Sequence, residues 1–386
     1  MADYPVEALG GKTPLEAAKK PCMDMLASKG VSGLVKTVPD DLAPGSDVAN
    51  LSVMGYEPYI YYTGRSPLEA LSMGINLGDD DTTFRANLVT LSDDDIYAEK
   101  TMVDYSADEI SSEEAKILIT DLNEALKNEF LTFFSGISYR HLLVWKGCDT
   151  QYKLTPPHDI SGKKITNYLP DSPIVLHLME RSSEMLKKHP VNIKRREKGL
   201  NPANSLWIWG QGTKPKLSSF EEKFGLKGSV ISAVDLIKGI GIGAGMQSID
   251  VDGATGNIHT NFDGKAQAAI ACLRNCDFIY VHIEAPDECG HRFETENKVR
   301  AIELIDEKIV RPIFEALTSE YPEFSIMILP DHPTPLLLGT HTHDPVPYVI
   351  YRGGDANGNP TYSEANANQG GLIEKGWTLM GKFLSK

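Results

Sequence analysis

The sequence predicts an α/β fold, a doubly wound and mainly parallel sheet, with a smaller α+β domain inserted into it. The C-terminal half alternates short apolar runs with stretches of helical periodicity, which is typical of strand-helix units in a parallel sheet. The middle of the chain instead alternates apolar and polar residues, as half-buried antiparallel strands do. A chain of 386 residues also exceeds the usual size of a single core. We therefore expect a discontinuous core domain of residues 1–83 and 229–386 around an inserted domain of residues 84–228.

Three apolar runs predict the strands of the core domain: residues 277–283, 325–329 and 346–351. A helical stripe with 3,4 spacing follows the first run, formed by Val299, Ile302, Ile305, Ile309 and Ile313. Strands that alternate with helices indicate a parallel sheet, and the ligands of such sheets bind beyond the carboxyl ends of the strands. Polar side chains that follow these strands are therefore candidates for a binding site.

The inserted domain is predicted from residues 85–91 and 141–145, which alternate as antiparallel strands do. Ser111 and Glu114 have the spacing of a capping box at the start of a helix that continues to Leu126, and residues 180–188 indicate part of another helix. Residues 214–228 are rich in Lys, Gly, Ser and Pro, which places the return to the core near residue 229. Residues 355–368 predict a mobile loop.

Composition excludes several classes of function. A formal charge of −15 argues against nucleic acid or an anionic membrane as the main partner, and no apolar run is long enough to cross a bilayer. The first residues lack the features of a secretory signal, so a cytoplasmic protein is expected. The five scattered cysteines indicate reduced thiols. Cys272, Cys276 and Cys289 leave a zinc site open as an alternative, but their spacing favours buried thiols.

Metal-ligand side chains occur in three patches at or near predicted strand ends: Asp287 with His291, Asp331 with His332, and His341 with His343 and Asp344. Asp287 and His291 can meet one cation if their segment forms a helical turn, and Gly290 lets the backbone fold tightly there. An Asp or His near a strand end is by itself more often a helix cap or a hydrogen-bonded surface residue. Three such patches at one edge of a sheet predict a catalytic site for two divalent ions. Mn²⁺ is favoured, and Zn²⁺ or Mg²⁺ also suit carboxylate and imidazole ligands.

Ser46 follows Pro44 and Gly45 and opens an apolar helix, which places its hydroxyl at a helix N-terminus, where phosphate binds readily. The plain alternative is an ordinary helix cap. Beside two metal ions the same hydroxyl becomes a candidate nucleophile and metal ligand.

Basic residues of the inserted domain are candidates for binding an anionic substrate: Arg140, His158, Arg195 and Arg196. Arg140 enters an apolar strand and is the strongest candidate, because a guanidinium can bind phosphate or carboxylate through two hydrogen bonds. For Arg195 and Arg196 a solvated surface is the alternative interpretation.

Several stretches of the sequence match a known family: GGKTPLEAA, PGSDVANLSVMGY, GRSPLEALSMGI, HPVNIKRREKG, EAPDECGH, PDHPTP and HTHDPVP. Along nearly its whole length the chain resembles cofactor-independent phosphoglycerate mutases of the archaeal type, members of the alkaline phosphatase superfamily. The resemblance implies an alkaline phosphatase-like core, a substrate-clamping inserted domain, and a glycolytic isomerase that interconverts 3-phosphoglycerate and 2-phosphoglycerate through a phosphoserine.

The resemblance also implies roles for particular residues. Ser46 corresponds to the phosphorylated nucleophile. One metal ion is expected on Asp287, His291 and His341, and the other on Asp331 and His332. Lys265, Arg140 and Arg196 correspond to contacts with the substrate's phosphate or carboxylate, whereas His343 has no counterpart in the family.

The chain departs from the family pattern at its start. Family members carry a short apolar strand that ends in Asp-Gly before the segment matching Met1-Ala2-Asp3, and that Asp is a metal ligand. Asp3 does not match it, so the metal group of Asp331 and His332 is expected to lack a carboxylate, and the sheet a central strand. We favour a start placed too far downstream over an impaired protein. Two other functions stay open, a homoserine kinase-like phosphotransferase and a metal-poor protein that only binds a phosphorylated ligand.

Overall fold

The computed structural model describes residues 1–354 and 358–385. They form two compact units, the first of residues 1–62 and 216–386 and the second of residues 63–215. Within the described ranges no helix is both long and apolar enough to span a membrane.

The structure contains both strands and helices. The strands are β1 (Val31–Val35), β2 (Asp81–Leu91), β3 (Met102–Asp104), β4 (Leu131–Phe134), β5 (Arg140–Lys146), β6 (Ser205–Thr213), β7 (Gly228–Ile231), β8 (Gln247–Ile249), β9 (Phe278–Val281), β10 (Ile326–Ile328), β11 (Val346–Tyr351) and β12 (Leu372–Ile373). The α-helices are α1 (Pro14–Ala17), α2 (Pro21–Lys29), α3 (Ser46–Val53), α4 (Pro58–Tyr61), α5 (Ser66–Ser72), α6 (Ser112–Leu126), α7 (Pro173–Lys187), α8 (Pro190–Glu197), α9 (Phe220–Phe224), α10 (Asp235–Gly243), α11 (Phe262–Cys272), α12 (Ala285–His291), α13 (Thr295–Ile305), α14 (Arg311–Glu320), α15 (Glu364–Ala367) and α16 (Leu379–Leu384).

The first unit contains two separate sheets. One has the order β8-β7-β9 and is parallel, as the alternation of strands and helices predicts. The other has the order β10-β11-β1-β12, and β11 runs antiparallel to both of its neighbours. A single, mainly parallel sheet is therefore wrong for this half of the unit. The physical reason is that no helix separates β10 from β11, and a parallel crossover needs a connection of about a dozen residues or more, usually helical.

Helices of the first unit pack over these sheets around buried residues such as Leu26, Ile302 and Val349. The predicted stripe after β9 is helical, but it is interrupted by one π-helical turn at Asp306–Val310 between α13 and α14. Asp306, in this turn, stabilises the start of α2, because its carboxylate accepts the Cys22 and Met23 N–H groups there.

The second unit is built on a five-stranded antiparallel sheet, which confirms the strands predicted at residues 85–91 and 141–145. β2 pairs with β3 and β5 along one edge and with β6 along the other, and all eleven of its residues are buried. Helix α6 begins where the sequence indicated, since the Ser111 hydroxyl accepts the Glu114 N–H.

The unit boundaries differ from the predicted 83/84 and 228/229. Residues 63–80 belong to the second unit because α5 packs on its sheet, where Ser66 Oγ donates to the Thr83 carbonyl and Glu69 pairs with Arg85. Residues 216–228 belong to the first unit, in which α9 already forms. Of the predicted loop at 355–368, residues 355–357 lie outside the described ranges, and the remainder contains α15.

Candidate functional site

The metal-ligand side chains of the first unit come from four segments: the start of α3, helix α12, the residues after β10, and the loop that leads to β11. Helix α12 is the helical turn predicted for Asp287 and His291. Gly290 serves close approach, because a Cβ there would lie 2.4 Å from the Thr334 carbonyl oxygen. Only glycine lets the loop after β10 lie this near to α12.

Asp287, His291 and His341 form one cluster, here called the three-ligand group. One ligand atom from each lies within 4.8 Å of the other two. The Nε2 atoms of the two histidines are 2.9 Å apart, and each is 3.3–3.4 Å from the Asp287 carboxylate. These side chains are half-buried, with His291 the most exposed at 34%.

The opposite ring nitrogens fix how these imidazoles are oriented. His291 Nδ1 lies 2.9 Å from the Gly339 carbonyl oxygen, and His341 Nδ1 lies 3.3 Å from that of Pro44. A carbonyl only accepts, so each Nδ1 carries a proton and each Nε2 is the nitrogen left for a metal ion, which displaces any proton held there. Two such nitrogens and a carboxylate face one another, which is the arrangement in which histidines ligate a metal.

Asp331, His332 and Ser46 form a second cluster, here called the two-ligand group after its two ionisable members. Ser46 Oγ lies 3.0 Å from His332 Nε2, which is 3.5 Å from Asp331 Oδ2. His332 is almost fully buried, with its side chain 1% exposed. On the other side of the ring, Nδ1 lies 3.4 Å from Thr334 Oγ1.

The hydrogen bonds of this cluster form a chain in which each donor points the same way, from Ser46 through His332 and Thr334 to Asp287. Thr334 donates its hydroxyl proton to Asp287, so its oxygen accepts from His332 Nδ1. His332 Nε2 is then unprotonated and accepts the Ser46 hydroxyl. Ser46 is thus not the helix cap that the plain interpretation required, since Gly45 is the N-cap residue and Ser46 begins the helix.

The charge state of both groups follows from burial and from these neighbours. Burial raises the pKa of Asp287, but hydrogen bonds from His291 and His341 outweigh it and hold that pKa far below the usual range. At Asp331 the raising effect of burial is likewise outweighed by His332 and His282, which lower its pKa. Burial lowers the pKa of His332. The hydrogen bond to Asp287 raises the pKa of His291 to about 9. Near neutral pH these side chains by themselves therefore present two carboxylates, a protonated His291 and a neutral His332.

Carboxylate oxygens and unprotonated imidazole nitrogens are ligands of Mn²⁺ and Zn²⁺, so the donor set fits divalent metal ions. The three-ligand group fits one ion on its own. The two-ligand group brings one carboxylate, one imidazole and the Ser46 hydroxyl to a second position. The thiol alternative gains no support, because Cys272 Sγ faces Cys276 Sγ at 3.1 Å and Cys289 is buried elsewhere.

A buried ion pair supports the loop that carries Thr334. Lys298 Nζ donates to Asp3 Oδ2 at 2.7 Å and to the Thr334 carbonyl at 2.8 Å, and both charged side chains are fully buried. Asp3 also accepts the Leu336 N–H. The pair fixes the backbone between the two groups, and nothing in the local sequence signals it, because its partners are 295 residues apart.

Three polar residues around Asp331 were missed by the sequence analysis. Asn50 donates to Asp331 Oδ2 and to the Ser46 carbonyl, and it accepts from Tyr280 OH at 2.6 Å. His282 Nε2 lies 3.9 Å from Asp331 Oδ2. Asn50 stands four residues after Ser46 on α3, and Tyr280 and His282 alternate along β9 and beyond, so their spacing was the available signal.

The predicted anion-binding residues are in different environments. In the first unit, Lys265 is fully buried, burial lowers its pKa to about 8, and its amine lies 3.3 Å from the His282 carbonyl oxygen. In the first unit His343 contacts the Leu42 carbonyl oxygen, as expected of a neighbour without a ligand role. The hydrogen bond to the His282 carbonyl gives Lys265 a structural role. Contact of Lys265 with a substrate stays a prediction.

In the second unit Arg140 is exposed and lies over the Tyr139 ring, whereas His158 lies between the rings of Tyr105 and Trp209. Both remain accessible candidates for an anionic ligand. Sequence analysis missed Arg85, which is buried on β2 with its guanidinium 4.5 Å from the Trp209 ring centre.

Arg195 and Arg196 differ although they are adjacent. Arg195 is buried and donates to Glu114 and to the Ala107 and Asn201 carbonyls, so a solvated surface is wrong for it and its contacts are structural. Arg196 is exposed and donates to the Lys187 carbonyl. The two side chains leave α8 in different directions, and their adjacent positions in the sequence do not show which of them is buried.

Sequence comparison places known proteins beside this chain. A family model described as 2,3-bisphosphoglycerate-independent phosphoglycerate mutase matches residues 27–192. The chain is 52% identical to a protein of that name from Methanosarcina barkeri, over 96% of this chain and 94% of the relative. It is 47% identical to a protein named as a probable one from Geobacter sulfurreducens, over 100% and 98%.

Solved structures agree with this similarity. A protein of Pyrococcus horikoshii superimposes with a TM-score of 0.84 at 30% identity, over 100% of this chain and 96% of the other. A cofactor-independent phosphoglycerate mutase from Thermoplasma acidophilum superimposes with a TM-score of 0.67 at 26% identity, also over 100% and 96%.

Proposed function

Since the chain belongs to the 2,3-bisphosphoglycerate-independent phosphoglycerate mutase family and is a phosphoglycerate mutase, we propose that it works by metal-dependent phosphoryl transfer through a phosphoserine at Ser46. The single observation that carries this proposal is the Ser46 hydroxyl at the helix N-terminus, 3.0 Å from His332 and beside a cluster of metal ligands. A nucleophile and cation ligands thus converge at one place.

The proposed first step forms a bond between Ser46 Oγ and the phosphorus of 3-phosphoglycerate. The bond from phosphorus to the 3-oxygen breaks, and that oxygen takes a proton to become a hydroxyl. As this bond forms, Ser46 Oγ gives up one proton and the 3-oxygen gains one, so the step needs no net proton; His332 Nε2, 3.0 Å from Ser46 Oγ, orients the hydroxyl. In the second step the 2-oxygen attacks phosphorus and loses its proton, the bond from phosphorus to Ser46 Oγ breaks, and Ser46 Oγ regains a proton.

Asp287, His291 and His341 would hold one divalent ion, and Asp331, His332 and Ser46 the other. Mn²⁺ is the expected metal, with Zn²⁺ or Mg²⁺ as alternatives. When bound, two such ions supply Lewis-acid stabilisation of the charge that develops on the attacking and leaving oxygens.

Side chains of the protein position Ser46 for this reaction. Asn50 accepts from Tyr280 and donates to the Ser46 carbonyl, which fixes the first turn of α3 against Asp331. The free N–H groups at the start of α3 favour a negatively charged group next to Ser46. Both effects favour a phosphoryl group at this hydroxyl.

The proposal is tested by incubating the purified, manganese-loaded protein with 3-phosphoglycerate and no ATP. We expect 2-phosphoglycerate as product and, after rapid acid quenching, a phosphate on Ser46 by mass spectrometry. Ser46→Ala should lower turnover by about 10⁴-fold or more, as loss of a nucleophile does. Ser52→Ala, a buried serine on the same helix, is the matched control and should keep most of the activity.

Undiminished turnover of Ser46→Ala would end the covalent mechanism. Turnover that required ATP and homoserine would identify the kinase-like alternative instead.

A further inference from the structure

Phe293 has an unusual backbone conformation for its residue type. Its φ angle is +59°, in the left-handed region, and it follows His291, the last residue of α12, by two positions. The Phe293 N–H donates to the Gly290 carbonyl at 3.2 Å, and the next N–H along the chain donates to the Cys289 carbonyl at 2.9 Å. This is the Schellman pattern that ends many helices, and glycine normally occupies its left-handed position because a side chain there strains the backbone. The end of the helix alone therefore does not explain a phenylalanine.

Burial does not explain the side chain of Phe293 either. The residue is 62% exposed, so most of its apolar surface gains nothing from removal from water. A strained backbone that carries an exposed ring is the kind of outlier that indicates a functional requirement, provided that the ring has a specific contact.

The tip of the Phe293 ring lies against Gly339. A Cβ at Gly339 would lie 2.4 Å from Phe293 Cζ and 2.9 Å from Cε1, so the ring occupies the space that a side chain at Gly339 would need. Gly339 also has a left-handed backbone, with a φ angle of +65°, and its N–H donates to the Pro335 carbonyl at 2.8 Å to close a turn. The two positions are therefore complementary, since one carries a ring where glycine is usual and the other carries no side chain.

This contact joins the two chain segments that carry the histidines of the three-ligand group. Phe293 follows His291 by two residues, and Gly339 precedes His341 by two. The Gly339 carbonyl also contacts His291 Nδ1 at 2.9 Å, so the same glycine orients one imidazole and leads into the segment of the other. The Nε2 atoms of the two histidines are 2.9 Å apart, a distance that is kept only if both segments are held in place.

We propose that Phe293 is a positioning residue for the metal ion of the three-ligand group. Its ring holds the Gly339 carbonyl against His291 Nδ1 and holds the segment of His341 beside the end of α12. The strained backbone of Phe293 is what places the ring there. Loss of a group that orients a metal-ligating histidine through its second nitrogen typically lowers metal affinity by about 10- to 100-fold. The inference rests on the proposed function, because it takes the three-ligand group to be a metal site.

An exposed apolar surface is the alternative interpretation of Phe293. Leu337 and Leu338 lie in the same turn as Gly339 and are 78% and 47% exposed. If these apolar side chains acted only as a surface, removal of Leu337 or of Phe293 would have the same effect on the three-ligand group. The contact with Gly339 instead predicts that the ring of Phe293 affects the metal ion and that Leu337 does not.

The test compares three variants with the unmodified chain. Phe293→Ala removes the ring and keeps a Cβ on the strained backbone, whereas Phe293→Gly removes both the ring and the strain. Leu337→Ala is the matched control. Binding of Mn²⁺ to the metal-free proteins is measured by calorimetry, and the phase that belongs to the three-ligand group is identified as the one that Asp287→Asn removes. The melting temperature of each metal-free protein is measured as well.

We expect both Phe293 variants to bind Mn²⁺ about tenfold more weakly in that phase, with the other phase unchanged. The metal-free Phe293→Gly protein should melt at the temperature of the unmodified chain or up to about 2 °C above it, because glycine relieves the strain, whereas Phe293→Ala should melt lower. Weaker metal binding by a protein that is no less stable separates positioning from a general loss of structure. Leu337→Ala should leave the Mn²⁺ affinity unchanged.

Gly339→Ala tests the contact from the other side. In the unmodified chain the added Cβ meets the ring tip, whereas in Phe293→Gly the ring is gone. Gly339→Ala should therefore lower the Mn²⁺ affinity less in the Phe293→Gly protein than in the unmodified chain, and equal losses in the two would contradict a direct contact.

Unchanged Mn²⁺ affinity in both Phe293 variants would overturn this inference and leave the proposed function standing. An equal loss of affinity in Leu337→Ala would also overturn it, because the effect would then belong to the exposed apolar surface. If the unmodified chain had no Mn²⁺ phase that Asp287→Asn removes, the metal site itself would be wrong, and the proposed function would fall together with this inference.

Discussion

The three-ligand and two-ligand groups use the same kinds of side chain but are built differently. His291 and His341 are held by backbone carbonyls through Nδ1, and with Asp287 they are partly open to solvent. His332 is buried and depends on the Thr334 hydroxyl, and its group is completed only by the Ser46 hydroxyl. From this difference we propose that the three-ligand group holds an ion permanently, whereas the two-ligand group positions the hydroxyl that reacts.

Among changes to the carboxylates and to their supporting residues, the largest expected effect comes from Asp287→Asn, because this carboxylate contacts both histidines of the three-ligand group and accepts from Thr334. Neutralising it removes the charge that pairs with a divalent ion. We expect mutase activity to fall by about 10³-fold and the metal content to fall by one ion per chain. Metal analysis after gel filtration, together with the rate, checks both.

Glu288→Gln is the matched control for that change. Glu288 is the next residue of α12 and pairs with Arg292 rather than with the histidines. Its metal content and rate should stay close to the original. If Asp287→Asn kept both ions, the three-ligand group would not be a metal site.

The next effect concerns removal of the metal ions. Each group has one carboxylate, but the two-ligand group has one imidazole where the other has two, and a neutral hydroxyl is a weaker ligand. Mn²⁺ should therefore leave the two-ligand group first, with an affinity at least about tenfold lower. Titration of the metal-free protein with Mn²⁺ should show two phases by calorimetry. Ser46→Ala should weaken the second phase and leave the first unchanged. If both ions bound with equal affinity in a single phase, or if Ser46→Ala lost the tight phase, the distinction drawn between the groups would be contradicted.

The smallest expected effect is that of Tyr280→Phe. The Tyr280 hydroxyl donates to Asn50, which orients Asp331, so the change acts on the two-ligand group through one intermediary. We expect a loss of activity of roughly ten-fold, together with weaker binding in the second Mn²⁺ phase. Tyr362→Phe removes a buried hydroxyl that donates to the Pro347 carbonyl away from the site, and it should leave both measurements unchanged.

Local features were predictable from the sequence. The apolar run at residues 346–351 became β11 with the same bounds, and the spacing of Asp287 and His291 became a helical turn. Both depend on periodicity over a few residues, which the chain carries within itself. Asp287, His291, Asp331, His332 and His341 were singled out from their place near predicted strand ends, and the structure brings them into two clusters; their role as metal ligands stays a prediction.

Features that depend on distant partners were not predictable. The antiparallel pairing of β11 with β1 is decided by tertiary contacts, and the Asp3–Lys298 pair joins residues that are 295 positions apart. Arg195 looked like half of a basic surface pair until its partners Glu114 and Ala107 were known. Periodicity predicts which face of an element is apolar, but it does not predict which other element covers that face.

The Asp3–Lys298 pair also sets an order in time. A ribosome adds about 5–20 residues per second, so the 295 residues between the two partners take roughly 15–60 s to synthesise. Throughout that interval Asp3 has neither Lys298 nor the Leu336 N–H available as a partner. Asp3 therefore gains its partners late, and the loop between the two groups acquires its final shape only after Leu336 has been made.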